Sequence, residues 1–352
     1  MSLTFARLAV LAIVLVALLQ DCGKAQAKEP RLIAKNPKGF AGDAVLSPEA
    51  ALIYLPRGGR RVEIVDTHTG EKRHTLLMSD VKPLPTDRDT VALSGDGKVV
   101  GSVCTFGAAG GKVGETARFW KTDTYELIRE IPVKRMRGGS GPLLSLSHDG
   151  RLAAFTHAYE TSVIILEVET GKTITTLKTK ACRRCDFLPD GRCILHDSTD
   201  ARKPESTAFL IDIPPGERPR VSIEISKTPR ILAVSPKDHQ VALMLPDGST
   251  RRKIEYFNSD TGASVSSPYL IPEEMLRGVP PIVGAALSGS NVAIAPPNAN
   301  TIIVYDIWKR KELYRTELPR PPYALVMNAD GSRLIATDGA NTWLWALDDV
   351  EP

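Results

Sequence analysis

The sequence predicts an all-β chain: a seven-bladed β-propeller of four-stranded blades, closed by the N-terminal strand completing the last blade. Three observations lead there. Turn signals recur at Ser47-Pro48, Asp96-Gly97, Asp149-Gly150, Asp190-Gly191, Ser235-Pro236, Ser288-Gly289 and Asp330-Gly331. Their spacing of about 40 to 55 residues, with short strand-like apolar stretches between them, is the period of propeller blades. Several copies then carry an acidic residue followed by Thr-Gly, as in Asp66 to Gly70 and Glu167 to Gly171. Finally, the last copy ends one strand short at Thr342 to Ala346, while Arg31 to Ala34 stand ahead of the first copy without a partner. Joining those two pieces closes the ring and removes its exposed edges. The fourth and sixth copies are degenerate, which leaves six or eight blades as alternatives.

The first residues read as an export signal. Arg7 supplies a positive start, Leu8 to Leu19 an uncharged apolar run, and Ala25-Gln26-Ala27 a small-x-small cleavage site. Residues 1–27 are thus expected to be removed, leaving 28–352 as the propeller. The run is shorter than the ~20 residues of a membrane helix, although an uncleaved anchor is the alternative. A lipidated Cys22 fits less well, because Gln20-Asp21 precede it. The mature chain is expected to be secreted or periplasmic, with no membrane span. Removing Arg7, Lys24 and Asp21 takes the formal net charge from +4 to +3. That is too mild a balance to imply a nucleic-acid partner.

Within the third copy, Leu144 to Leu146 enter the turn Ser147-His148-Asp149-Gly150, and Arg151 to Thr156 leave it. Val163-Ile164-Ile165-Leu166 suit a buried strand, being largely β-branched. Thr170-Gly171 then turns the chain into Lys172 to Leu177. Glycine fits this position because hairpin turns often need a positive φ. Gly70 and Gly262 hold the same place in the first and fifth copies.

On these residues a family resemblance can be stated. Val62 to Gly70 and Ser288 to Asp306 resemble the YVTN and WD40-like repeat propellers, and Arg118-Phe119-Trp120-Lys121 and Trp343-Leu344-Trp345-Ala346 resemble the strand that ends in Trp-Asp in WD40 repeats. Lys121 and Ala346 stand where Asp would follow Trp, and the Gly-His pair of a strict WD40 blade is missing. The resemblance spans essentially the mature chain. It implies a rigid ring used mainly for binding other molecules, with enzymes a minority.

Candidate chemistry is sparse. Cys182, Cys185, Cys193 and His196 spell C-x2-C-x7-C-x2-H, a spacing that suggests zinc. Cys193 and His196, however, lie three apart on an expected strand, where side chains alternate, so no metal site is expected. In an oxidising compartment the thiols suit a disulfide, either Cys182–Cys185 or Cys185–Cys193 across the turn, with free buried thiols as the alternative. Asp186 after Cys185 rules out haem attachment. The run Gly107 to Val113 lacks both the first glycine and the Ser/Thr of a phosphate loop. No Gly-x-Ser-x-Gly elbow is present, and no catalytic residue or cofactor is assigned.

The remaining signal is the placement of basic residues. In a propeller, the connections from second to third strand and from fourth strand to the next blade share one face. There the sequence places Arg57, Arg60 and Arg61, then Lys134, Arg135 and Arg137, then Arg183 and Arg184. Arg202, Lys203, Arg251, Arg252, Lys253 and Arg320 follow. Such a face would attract an acidic partner, a protein or an anionic glycan, unless these are ordinary solvated loop residues. The expectation is therefore a monomeric interaction scaffold. An enzyme resembling the propeller lactonases or the quinoprotein dehydrogenase subunits, with its site at the central channel, is the alternative.

Overall fold

The first, second, third and last repeats begin where a serine or asparagine side chain fixes a turn, through Ser47, Ser94, Ser147 and Asn328. Ser147 Oγ donates to Asp149 Oδ1 at 2.7 Å and accepts the Leu152 N–H at 2.9 Å, while Asp149 Oδ1 accepts the Arg151 N–H. Ser94 and Asp96 repeat this arrangement in the preceding copy, and Asn328 takes the serine's place before Asp330 in the last. Gly97, Gly150, Gly191 and Gly331 end these turns at φ between 70° and 86°. The Asp-Gly pairs thus serve turn geometry, as their sequence context predicts.

The computed structural model describes residues 30–35, 44–57, 61–78, 90–107, 113–133, 142–157, 160–188, 190–198, 206–213, 220–225, 230–235, 240–247, 251–258, 260–265, 269–270, 282–285, 291–296, 299–322, 324–328, 330–338 and 341–347. The chain is all-β, and its strands form seven four-stranded antiparallel blades arranged in a ring. Blade 1 contains Val45–Leu46, Leu52–Arg57, Arg61–Asp66 and Lys72–Leu77; blade 2 contains Thr90–Leu93, Val99–Gly107, Val113–Lys121 and Leu127–Val133. Blade 3 contains Pro142–Leu146, Leu152–His157, Glu160–Glu167 and the first part of Thr173–Phe187. The second part of that 15-residue strand opens blade 4, which continues with Cys193–Ser198, Ser206–Asp212 and Arg220–Ile225. Blade 5 is built from Arg230–Ser235, Gln240–Asp247, Arg251–Asn258 and Tyr269–Leu270, and blade 6 from Ile282–Ala285, Asn291–Ala295, Thr301–Asp306 and Lys311–Glu317.

Blade 7 holds Ala324–Met327, Arg333–Thr337 and Asn341–Ala346, and its fourth strand is the N-terminal Arg31–Lys35. Arg31 pairs with Leu344 and Lys35 with Asn341, so the ring closes as the sequence predicts. The turns of the third copy also fall where expected. The fifth and sixth turn signals, Ser235-Pro236 and Ser288-Gly289, run into residues outside the described set.

Ring formation follows from the alternation of side chains along each strand. Ile53 and Leu55 face blade 7, whereas Tyr54 between them faces blade 2. Ala153 and Phe155 face blade 2, and Ala154 faces blade 4. Among the described residues the buried apolar side chains form seven clusters, each straddling one pair of adjacent blades. A blade is therefore apolar on both faces and cannot bury them alone, which is the physical reason the array must close. Each fully buried Ile or Leu adds about 1.5–3 kcal/mol.

Polar ties bridge neighbouring blades as well. Asn328 Nδ2 of blade 7 donates to the Pro48 carbonyl of blade 1 at 3.3 Å, and Arg31 Nη1 donates to the His68 carbonyl. Asn291 Nδ2 of blade 6 donates to the Gly331 carbonyl at 3.1 Å. The passage from blade 3 to blade 4 uses a different device: Asp197 accepts the Lys180 and Ala181 N–H groups at 2.8–3.0 Å, so the shared strand crosses over without a loop.

Candidate functional site

Antiparallel alternation sorts the connections into two ends of the ring. One end carries the Asp-Gly and Thr-Gly turns. The other carries the second-to-third strand hairpins and the passages between blades, and the eight basic candidates within the described residues fall there. Arg57 and Arg61 face each other across the hairpin of blade 1. Arg251, Arg252 and Lys253 begin the third strand of blade 5 and pair with Asp247, Pro246 and Leu245. Arg183 and Arg184 do not sit in a loop, as the sequence suggests, but inside the continuous strand Thr173–Phe187. The Asp197 tie that removes the loop between blades 3 and 4 is the reason. Arg60, Arg135 and Arg137 lie outside the described residues, and only the backbone is described for Arg183, Arg184, Arg251 and Arg252.

Among the four described basic side chains of the candidates, two carry carboxylate partners. Arg57 Nε reaches Glu63 Oε2 at 2.8 Å, and Lys253 Nζ reaches Glu255 Oε2 at 2.7 Å. Arg61 and Arg320 are exposed. Lys253 and Glu255 lie two apart on one strand, where side chains share a face, a signal the sequence offers. Arg57 and Glu63 instead meet diagonally across the hairpin, since Arg57 stands opposite Arg61.

The histidines separate into roles. His68 and His148 are exposed turn residues. His74 of blade 1 stacks on Tyr125 of blade 2 with ring centroids 4.2 Å apart. His157 is different: its Nε2 lies 2.9 Å from Glu115 Oε1 and 2.8 Å from Oε2, and both side chains are 3–4% exposed. Glu115 begins the third strand of blade 2 and His157 ends the second strand of blade 3, so the pair ties two blades between their middle strands. His157 Nδ1 has no hydrogen-bond partner among the described residues. Arg118, on the same strand as Glu115, donates from Nη1 to the Leu77 carbonyl of blade 1 at 2.9 Å and from Nε to Glu130 at 2.8 Å. That one strand of blade 2 therefore binds both neighbouring blades through buried polar side chains. Sequence reasoning missed this, since residues 42 apart carry no local signal of meeting.

Cys182, Cys185 and Cys193 all enter the apolar cluster between blades 3 and 4. Cys182 and Cys185, three apart, share a face because a bulge between Cys182 and Arg184 adds one residue to the strand. The Cys185 and Cys193 sulfurs are 3.5 Å apart. Among the described residues no group of three His, Cys, Asp or Glu side chains is placed to hold a metal ion. Cys104 sits buried between blades 1 and 2, as a small apolar residue would, with its thiol donating to the Met78 carbonyl at 3.3 Å.

This arrangement defines a seven-bladed propeller, held by inter-blade clusters and by the N-terminal strand in the last blade. No protein-family model matches the chain, and no curated protein matches it significantly. Solved structures do. The WD40 repeats of RRP9 superpose with a TM-score of 0.64 at 15% identity, covering 91% of this chain and 99% of that one. Hydrazine synthase of Kuenenia stuttgartiensis gives 0.64 at 14% identity, covering 90% and 98%. A chain of the mitotic checkpoint complex gives 0.63 at 13%, covering 93% of each. At these identities the likeness is one of fold. Departure from the strict WD40 pattern is visible at Trp345, fully buried between blades 6 and 7, whose indole N–H has no hydrogen-bond partner among the described residues.

Proposed function

We propose that the chain is an extracytoplasmic interaction scaffold that offers the hairpin-and-passage end of its ring to an acidic protein surface. The observation that supports this most is topological. Eight described basic positions, contributed by blades 1 and 5, by the strand that passes from blade 3 to blade 4 and by the segment after blade 6, belong to connections that share one end of the ring. Several connections held by separate blades bind with little ordering cost, because the blades position them beforehand. The Arg57–Glu63 and Lys253–Glu255 pairs lower the effective charge of that end, so the weight rests on Arg61, Arg183, Arg184, Arg251 and Arg252. The WD40 fold of the solved neighbours, one of them from a multiprotein assembly, supports a protein partner over an anionic glycan.

Retention on an anionic resin across a salt gradient tests the basic face. Charge reversal as Arg251→Glu with Arg252→Glu is expected to bring elution to lower salt, and unchanged retention would remove the proposal. Capture of partners from the envelope on the tagged chain then distinguishes protein from glycan. Export is checked separately by fractionation and by reading the N-terminus, expected at Lys28 after cleavage following Ala27.

A further inference from the structure

Two of the three clustered thiols are placed for a covalent bond. In blade 4, Cys185 pairs with Leu195 and Phe187 with Cys193, so Cys185 and Cys193 are diagonal neighbours on the face turned to blade 3. Both are buried, and their sulfurs stand 3.5 Å apart. A disulfide of about 2.05 Å needs only a closer approach of about 1.5 Å, within the reach of side-chain rotation. Cys182 is the less apt partner for Cys185. The bulge sets the two opposite Asp197 and Leu195, two residues apart. That puts their Cα atoms about 6.6–6.8 Å apart along the strand, at the far limit of what a disulfide tolerates. The Cys185 and Cys193 sulfurs, by contrast, already stand 3.5 Å apart.

We propose that Cys185 and Cys193 form a disulfide as the chain folds, stapling the first two strands of blade 4, with Cys182 and Cys104 left as thiols. In the cell this rests on the extracytoplasmic reading above, because the oxidant is a disulfide-bearing donor, small or protein-bound, of the kind such compartments maintain. One cysteine thiolate attacks the donor disulfide, forming a mixed disulfide and releasing one donor thiol. The second cysteine then attacks the protein sulfur of that mixed disulfide and releases the other donor thiol. Two protein thiols lose two electrons and two protons, and one donor disulfide becomes two thiols. The reaction belongs to the folding stage. Once blade 4 packs on blade 3, the hydrogen bond to Cys193 and then burial push the Cys185 thiol well above the ordinary thiol range, and the thiolate is the reactive form.

The test refolds the reduced, denatured full-length chain in a glutathione redox buffer, alkylates it in denaturant and digests it with trypsin without reduction. The expected product has an intact mass lower by two hydrogens. It joins peptides 185–192 and 193–202 and carries alkyl groups on Cys22, Cys104 and Cys182. Five alkylated cysteines, or a link that includes Cys182, would overturn the proposal. A second reading uses the Cys185→Ala/Cys193→Ala chain: reductant is expected to lower the thermal midpoint of the oxidised wild type and leave the variant unchanged, and equal lowering of both would count against the bond. Because the buffer supplies the oxidant, a linked chain that proves not to be exported would sink the extracytoplasmic reading alone.

Discussion

The two flanks of blade 3 are built on different chemistry. Toward blade 2 the apolar cluster of Phe119, Phe155 and Leu166 gives way to a buried carboxylate and imidazole, Glu115 and His157. Toward blade 4 the polar content is small, the cluster holds three thiols, and the two blades share one strand. The first flank is joined by side chains from two separate sheets that must find each other. The second is joined through the backbone, so it can leave its packing to small, adaptable sulfur atoms. Continuity of the main chain thus substitutes for a buried polar tie.

The largest effect that would break this contrast is loss of one member of the buried pair. Glu115→Ala or His157→Ala is expected to destabilise by about 3–5 kcal/mol, because the other group stays buried without its partner. Urea denaturation measures it, and a double replacement by apolar residues should cost less than the two single changes summed. Next comes Gly150→Ala, where a Cβ would lie 2.6 Å from Val99 Cγ2 of blade 2 at φ +70°. Strain and overlap together predict about 2–4 kcal/mol. Gly171→Ala, at φ +72° with its nearest neighbour Ile131 Cδ1 at 3.4 Å, pays for the backbone alone, about 1–2 kcal/mol.

On the other flank, Phe187 N–H donates to Ser145 Oγ at 2.8 Å, a buried bond between blades 3 and 4. Ser145→Ala is expected to cost about 1–3 kcal/mol by orphaning that amide. Amide exchange at Phe187 should quicken while the Ala181 amide, held by Asp197, does not. The smallest effect is acid dependence at the turn between these flanks. Burial opposes ionisation of Asp149, but the hydrogen bonds from Ser147 and the Arg151 N–H outweigh it and hold its carboxyl below the usual range. A depressed folded value gives stability that is present above the unfolded value and lost as pH falls through the folded one. Asp149→Asn should therefore flatten the stability profile below about pH 4 and leave neutral pH nearly unaffected in slope.

What could be read from the chain is local. Ser-x-Asp-Gly and Thr-Gly specify their turns through bonds between residues a few positions apart, so Asp149, Gly150 and Gly171 announce their roles. The unpaired Arg31 to Ala34 strand announces the closure. Glu115 and His157 do not, since neither lies in a motif and only the docking of two blades joins them. The thiols are half legible: their clustering is plain, but the bulge after Cys182 that brings it to the face of Cys185 depends on pairing with two partner strands. Loop status was misread at Arg183 and Arg184 because Asp197, on another strand, supplies the acceptors that keep the backbone extended there.

By itself, the order of residues determined the repeat and the joining of the two ends, because turns and alternating burial are properties of neighbours along the chain. Tertiary structure alone decided which charges are neutralised, which histidine is buried and which cysteines meet. Those outcomes depend on distances between blades, and such distances exist only once the ring has closed.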